Sequence, residues 1–206
     1  MANPIRKLAK LSRREGMPLS TSSSVAKTMQ RRSYAPGVHG PKQVQKRLST
    51  YGTQLREKQR AKLIYNLREM QFLNYFNSAV TKQGFTSKIL MQMLEMRLEN
   101  AVFRMGFAKT RQQARQLVSH KFFTVNGKPV NVRSYHVRPG DEVAFKSTKL
   151  NKKLMPELMK NAESVKVPSW VAVDINRGAG KVLSVPDGDE LQQPFDPKLI
   201  IEFYSR

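Results

Sequence analysis

Hydrophobic and polar positions change their period along this chain, and each change predicts a different element. From Met1 to about Arg47 no apolar residue recurs at sustained helical or alternating spacing, so this stretch reads as an arm unable to bury enough surface to fold alone. Leu48, Tyr51, Leu55 and Gln59 then lie at helical spacing, with Arg47, Lys58, Arg60 and Lys62 on the other sides of that helix. A second helix is predicted from Glu69 to Val80, with Met70, Leu73, Phe76 and Val80 as its stripe. Phe72, Tyr75 and Phe76 read as core. Gly84 ends the run, and Phe85-Thr86-Ser87 leads into one long helix from Lys88 to Met105. That helix would bury Leu90, Met93, Leu94, Leu98, Ala101, Val102 and Met105, carry Arg97 and Arg104 on a neighbouring face, and stop at Gly106.

A short helix follows between Thr110 and His120, where Thr110 and Gln113 fit a capping box. Ala114, Leu117 and Val118 face inward, while Arg111 and Arg115, four apart, form a cationic edge extended by Gln112 and Ser119. Strands are predicted at Phe122–Val125 and Lys128–Val132 around Asn126-Gly127, a pair suited to the positive φ angles of a tight hairpin. The turn Arg138-Pro139-Gly140-Asp141 introduces a further strand, Glu142 to Phe145. Trp170, within the apolar run Val167–Val173, is expected to pack on the helical body, and Lys198–Tyr204 to close the chain as a strand or extended segment.

Charge changes the picture most. Among 206 residues, 37 Lys and Arg face 15 Asp and Glu, a net charge of +22, which calls for a polyanionic partner. The excess is uneven: residues 1–62 hold 15 basic and 2 acidic side chains (net +13), and residues 157–206 hold 6 and 8 (net −2). The basic end is therefore read as a contact surface, and the acidic end as scaffold. The longest uncharged stretch, Met70–Thr81, contains Gln71, Asn74 and Asn77 and is far short of the roughly 20 apolar residues of a spanning helix, so no membrane partner is expected. The first residues lack the apolar core of a signal peptide. With no cysteine, disulfides, thiolate zinc sites and cysteine nucleophiles are excluded.

The run Leu94–His120, followed by Val125-Asn-Gly-Lys-Pro-Val-Asn-Val132, resembles the RNA-binding module of the ribosomal protein S-four family. Pseudouridine synthases, a tyrosyl-tRNA synthetase tail and a heat-shock RNA binder share that module. Further blocks resemble the bacterial-type small-subunit protein in the same order: Lys10–Gly16, Ala35–Gly40, Arg47–Gln59, Pro168–Asp174 and Leu199–Ser205. The resemblance implies an α+β fold and a protein that binds 16S ribosomal RNA early, at a multi-helix junction of the 5′ domain. It further implies nucleation of the small-subunit body, neighbours of the S-five and S-three families, and a place near the channel through which mRNA enters. The setting expected is the ribosome of the cytoplasm, with an organellar ribosome also open. Some members of that family hold the arm with four zinc-binding cysteines; this sequence has none, so its arm is expected to order through RNA and protein contacts. The resembling blocks do not include Thr148–Val167.

The expected division is a basic arm at 1–45, a helical body from 46–90 with a returning segment 157–206, and an inserted helix-helix-hairpin module at 91–156. RNA contacts are expected at Lys10, Arg13, Arg14, Arg31, Arg32, His39, Arg47, Tyr51, Lys58 and Arg60. In the module they are expected at Arg97, Arg104, Lys109, Arg111, Arg115, Gln116, His120, Lys121, Asn126 and Lys128. No cofactor, metal or catalytic residue is implied. His39, His120 and His136 lack metal-type spacing, and Arg177-Gly-Ala-Gly-Lys181 fails as a phosphate loop because Ile175 and Val182 stand where glycine and a hydroxyl residue are needed. Two rival classes are an RNA-modifying enzyme carrying the same module, for which little chain is left after Phe145, and a free RNA chaperone, which would not need the long N-terminal blocks.

Overall fold

The computed structural model describes residues 7–42 and 48–206. The chain is α+β and divides into two compact units, Met1–Leu67 with Phe195–Arg206, and Arg68–Pro194. The sequence reading placed its joints at 90/91 and 156/157, whereas packing joins the helices after Arg68, the hairpin module and nearly all of the C-terminal third in one unit.

In the first unit, α1 (Leu8–Glu15) and α2 (Ser23–Arg31) replace the irregular arm expected from the sequence. Hydrophobic period did not reveal them because this stretch buries few apolar residues, Leu19 and Val25, and α1 is held mainly by polar contacts. Buried Ser12 accepts from the Leu19 amide at 3.1 Å through its hydroxyl and from the Met17 amide at 3.2 Å through its carbonyl. The Glu15 carboxylate lies 3.3 Å from Arg56 and 3.4 Å from Arg60, both on α3 (Thr50–Ile64). In the loop Ala35–Pro41 a side chain at Gly40 would stand 1.9 Å from the Ala35 carbonyl oxygen, so only glycine fits.

Helix α3 also turns a different face inward than expected. Gln54, Glu57, Lys58, Ala61 and Ile64 are buried, whereas Leu48 and Tyr51 are exposed. The reason is its partner, the last helix of the chain (Pro197–Tyr204), where an extended segment was expected. Asp196 caps that helix by accepting from the Lys198 amide at 2.8 Å, and Pro197 suits its first turn. Glu202 accepts from Gln54 at 2.8 Å, and Glu57 accepts from the Asp196 amide at 3.0 Å.

The second unit begins with α4 (Glu69–Val80), over the predicted range but rotated: Phe72, Phe76 and Ala79 are buried, and Met70 and Val80 face solvent. The predicted long helix is two, α5 (Thr86–Glu95) and α6 (Leu98–Arg104), broken at Met96-Arg97. There the chain turns extended, and the amides of Leu98 and Val137 donate to Tyr135 and Met96 carbonyls at 2.8 and 2.9 Å. Helix α7 (Arg111–Ser119) follows, with Thr110 accepting from the Gln113 amide at 3.1 Å; Gln113 returns its side chain to the Lys109 amide rather than to Thr110.

Strands β1 (Phe123–Val125), β2 (Lys128–Pro129) and β3 (Glu142–Phe145) stand where the sequence put them, β2 being shorter. Asn126 and Gly127 take φ of 48° and 76°, as the tight turn needs. The unaligned stretch forms α8 (Ser147–Leu150) and α9 (Met155–Ser164). Two further strands, β4 (Val171–Asp174) and β5 (Ala179–Val182), complete an antiparallel sheet in the order β2-β1-β3-β5-β4, and with α10 (Pro197–Tyr204) of the first unit the helices number ten among the described residues. The Arg177–Lys181 run is thus a hairpin turn and strand. Phe123 pairs with Phe145 and Val125 with Val143, so one sheet face sends Phe123, Val125, Val143 and Phe145 into the core. Trp170 sits in this same core with Leu158 and Val182, not on the helical body as expected. Gly106, at φ 78°, lets the end of α6 approach α9, since a side chain there would meet the Ala162 backbone at 2.9 Å.

Candidate nucleic-acid interface

In the first unit the expected contacts separate into surface and scaffold. Lys10, Arg14, Arg31, Arg32 and His39 are exposed, and among the described residues the side chains of Lys10, Arg14, Arg31 and Arg32 enter no ion pair. Arg13 is scaffold: its guanidinium donates to the Arg32, Tyr34 and Ala35 carbonyls at 3.1, 3.0 and 3.3 Å and lies over the Tyr34 ring. Arg60 is likewise engaged, with Glu15 and Glu57. Lys58, expected on the outer surface, is only 5% exposed, and its ammonium lies 4.5 Å from the Phe203 ring centre. Tyr51 is exposed and rests against Phe203 at 5.7 Å. Arg47 lies outside the described residues.

In the second unit the arrangement is built around a residue that the sequence reading passed over. Glu95, at the end of α5, is fully buried. Its carboxylate accepts from Arg104 at 2.8 and 3.1 Å and from the Asn100 amide at 2.7 Å. Gln193 donates to it at 3.3 Å, and the Arg111 guanidinium lies 3.9 Å away. Asn100 then accepts from Arg111 at 2.8 Å, while that guanidinium lies 4.6 Å from the Phe103 ring centre. One buried carboxylate therefore fixes the positions of two half-buried arginines on adjoining helices. A fixed guanidinium loses less side-chain freedom on meeting a phosphate, and two such groups define a spacing as well as a charge. The signal for Glu95 and Asn100 was present: acidic residues are scarce in this chain, yet Glu95 and Glu99 interrupt its most apolar helical run.

The remaining positions fall around this pair. Arg115 is half-buried on α7, one turn after Arg111, with Gln116 exposed beside it. His120 and Lys121 are exposed at the end of α7, where Lys121 adopts φ 56°. Lys128 is exposed on the edge strand β2, and Lys109 is exposed and bonded to Glu157 at 2.5 Å. Asn126 shapes the turn, donating to Asp141 at 2.8 Å and accepting from the Glu142 amide at 2.9 Å. Arg97 does not belong to the surface. It is 4% exposed, donates to Glu99 at 3.1 and 2.6 Å and to the Tyr75 hydroxyl, and stacks over that ring. Its seven-residue spacing from Arg104 implied a shared face only while the helix was taken as continuous. No helix of the described residues is long and apolar enough to cross a membrane, and among them no cluster of His, Asp or Glu is placed to hold a metal.

Comparison with known proteins adds identity to this geometry. Residues 5–95 match the family model described as the ribosomal protein S4/S9 N-terminal domain, and residues 96–143 match the S4 domain. Small ribosomal subunit protein uS4 of Natranaerobius thermophilus is 43% identical over 203 residues, covering 97% of each chain. The uS4 proteins of Thermus thermophilus and Herminiimonas arsenicoxydans are 42% and 45% identical over the whole of both chains. The chain belongs to the uS4 family. The Glu95 network crosses the seam between the two matched regions: the carboxylate is the last residue of the first, and Asn100, Arg104 and Arg111 lie in the second. In this member of the uS4 family, the residues that position the S4-domain arginines are thus partly supplied from outside that domain.

Proposed function

We propose that this protein is a structural component of the small ribosomal subunit that binds 16S ribosomal RNA through the S4-domain face. The single observation that carries this reading is the pair Arg104 and Arg111, held by buried Glu95 and Asn100 and continued by Arg115 along α7. Helical RNA hides its base edges in a deep, narrow groove, so a rigid array of guanidiniums suits recognition of phosphate spacing and shape. The exposed cations of α1 and the 31–32 corner add a second, less rigid set of phosphate contacts. In the cytoplasm the protein would join the 5′ domain early, nucleate the body of the subunit, and lie beside the S-five and S-three proteins near the path of incoming mRNA.

Equilibrium binding to a 5′-domain 16S fragment, set against a generic duplex and tRNA at several salt concentrations, tests this. Preference for the fragment that persists as salt rises is expected; equal affinities collapsing together would leave counterion release alone and favour the free-chaperone reading. Arg115→Ala should weaken binding with little loss of folding, and Arg111→Ala/Arg115→Ala should weaken it further while costing about 1–3 kcal/mol of stability through the buried Asn100 acceptor; each should lower the salt slope by about 1 per phosphate contact removed. Unchanged affinity in both would take the α7 edge out of the site.

A further inference from the structure

Away from the Glu95 network, the second unit carries a pocket of about 260 Å³ between α5, the 82–83 turn and the 136–139 segment. Its apolar lining is Ile89, Met93, Met96, Val137 and Val185, of which Met96 and Val137 are almost wholly buried and Val185 is exposed. Lys82 and Arg138 line it too, no Asp or Glu does, and among the described residues neither side chain has an ion-pair partner. Gln83, Gln92 and His136 complete the lining, each able to donate or accept a hydrogen bond.

The walls are held in place before anything binds. The Val137 amide donates to the Met96 carbonyl at 2.9 Å, and His136 pairs with Arg97 across the extended break. On the other side Gln92 donates to the Pro186 carbonyl at 3.0 Å, and Lys88 holds Asp187 at 2.8 Å, which seats Val185 against α5. One turn before Ile89, exposed Phe85 extends the apolar surface towards solvent.

We propose that this pocket receives one unstacked nucleotide of the bound RNA, its base against the apolar lining at Ile89 and Met93 and its phosphate between Lys82 and Arg138. The proposal rests on the RNA-binding reading above and adds the chemistry of a second contact site. The size agrees: whole small-molecule sites occupy roughly 300–1,000 Å³, and this pocket falls just under that range, as a single base requires. Polarisable methionine sulfur suits the face of an aromatic ring. Partial burial, followed by the charges of Lys82 and Arg138, lowers the His136 pKa, so the ring keeps an acceptor nitrogen that can meet a base edge. Unstacked bases held on apolar platforms beside cations are a general way for proteins to grip single-stranded RNA.

Methyl-labelled methionine in the full chain gives a direct readout. Titration with adenosine and uridine monophosphates should shift the Met93 and Met96 methyl resonances by ring current, and ribose 5-phosphate, which lacks the base, should leave them in place. Val185→Trp, which fills the pocket from an exposed position, should abolish those shifts and weaken binding to the 5′-domain fragment by about 5- to 150-fold, the range that losing one stacked base implies. Lys82→Gln/Arg138→Gln should lower the salt slope while folding is retained. The proposal is overturned if nucleotides leave both methyls unmoved, or if a short peptide with an aliphatic C-terminal residue moves them at lower concentration than any nucleotide. It also fails if Val185→Trp folds and binds the RNA fragment as the parent does. Nucleotide-induced shifts in a protein that shows no preference for the 5′-domain fragment would sustain the pocket and refute the 16S reading instead.

Discussion

The two units are stabilised by different physics, although both are built from short helices. In the second unit the core is apolar and continuous: Phe107, Phe123 and Phe145 pack with ring centres 4.8 to 6.1 Å apart, and Trp170, Leu158 and Val182 fill the space around them. In the first unit α3 turns Gln54, Glu57 and Lys58 inward, and α1 is tied down through Glu15, Ser12 and Arg13. An apolar interface tolerates many partners of similar volume, but a charge pair needs one partner at one place. Buried acids occur in both units, Glu15 and Glu57 in the first and Glu95 and Glu99 in the second, so the second unit adds an extended apolar core to a device both share. Glu15, Glu57, Glu95 and Glu99 have side chains no more than 10% exposed, and each faces arginine. In a chain of net charge +22, these carboxylates allow arginines to be packed closely without mutual repulsion dominating.

The comparison is broken most strongly in the apolar unit. Phe123→Ala removes a fully buried ring and should cost about 3–5 kcal/mol. Trp170, the single tryptophan, lies in the same core, so its fluorescence in a denaturant titration reports the shift directly. Glu95→Ala should cost about 2–3 kcal/mol, below the roughly 3–5 expected for a wholly buried pair, because Arg104 reaches solvent. It should also weaken binding of the 5′-domain fragment more than its stability loss explains, since Arg104 and Arg111 lose their fixed geometry. Glu15→Ala should be milder, about 1–2 kcal/mol, because Arg56 and Arg60 both reach water. Faster amide exchange across residues 8–31 with the Trp170 transition unmoved is the outcome that matches the division into two units; a shifted Trp170 transition would argue against it.

What could be read from residues alone depended on local signals rather than on which unit a residue belongs to. The hairpin, β3, α4 and α7 were legible because Asn126-Gly127, Pro139-Gly140 and the inward Ala114, Leu117 and Val118 carry local signals. The resemblance to the family came from contiguous motifs and needed no packing. Period alone misplaced the face of α3 and part of that of α4, where Phe72 and Phe76 are buried as expected but Ala79 is covered in place of Met70 and Val80. The break at Met96-Arg97 was missed because helix propensity continues through it, and only pairing with the segment around His136 ends the helix. The last helix was missed for a related reason: β-branched Ile200 and Ile201 favour extended chain, while Asp196 and Pro197 start a helix that α3 then buries. Of the expected RNA contacts, Arg13 and Lys58 stand in basic stretches and Arg97 in a mixed one between Glu95 and Glu99, and what engages them, carbonyls of 32–35, the Phe203 ring and Tyr75 with Glu99, becomes apparent only once the chain is folded.

The smallest effect concerns an exposed ion pair within the second unit, set against the buried ones. Asp187 is exposed, and its pKa is held below the ordinary carboxylate value by hydrogen bonds from the Lys88 ammonium and then from the Gly188 amide. A carboxylate with a depressed folded-state pKa contributes stability above its unfolded value, and that contribution is lost as pH falls through the depressed value. Lys88→Met should therefore raise the Asp187 pKa towards the ordinary carboxylate range, as followed by carbon-detected titration, while leaving the Trp170 unfolding transition nearly unchanged near neutral pH. What the link does is local: with Gln92 and Pro186 it holds the 185–187 segment on α5. Its loss should appear as faster exchange at Gly188 and broader Val185 resonances before any change in global stability. If Lys88→Met instead lowered stability as much as Glu15→Ala, exposed pairs would be doing the same structural work as buried ones, and burial of the carboxylate would no longer explain why Glu15 and Glu95 organise their units.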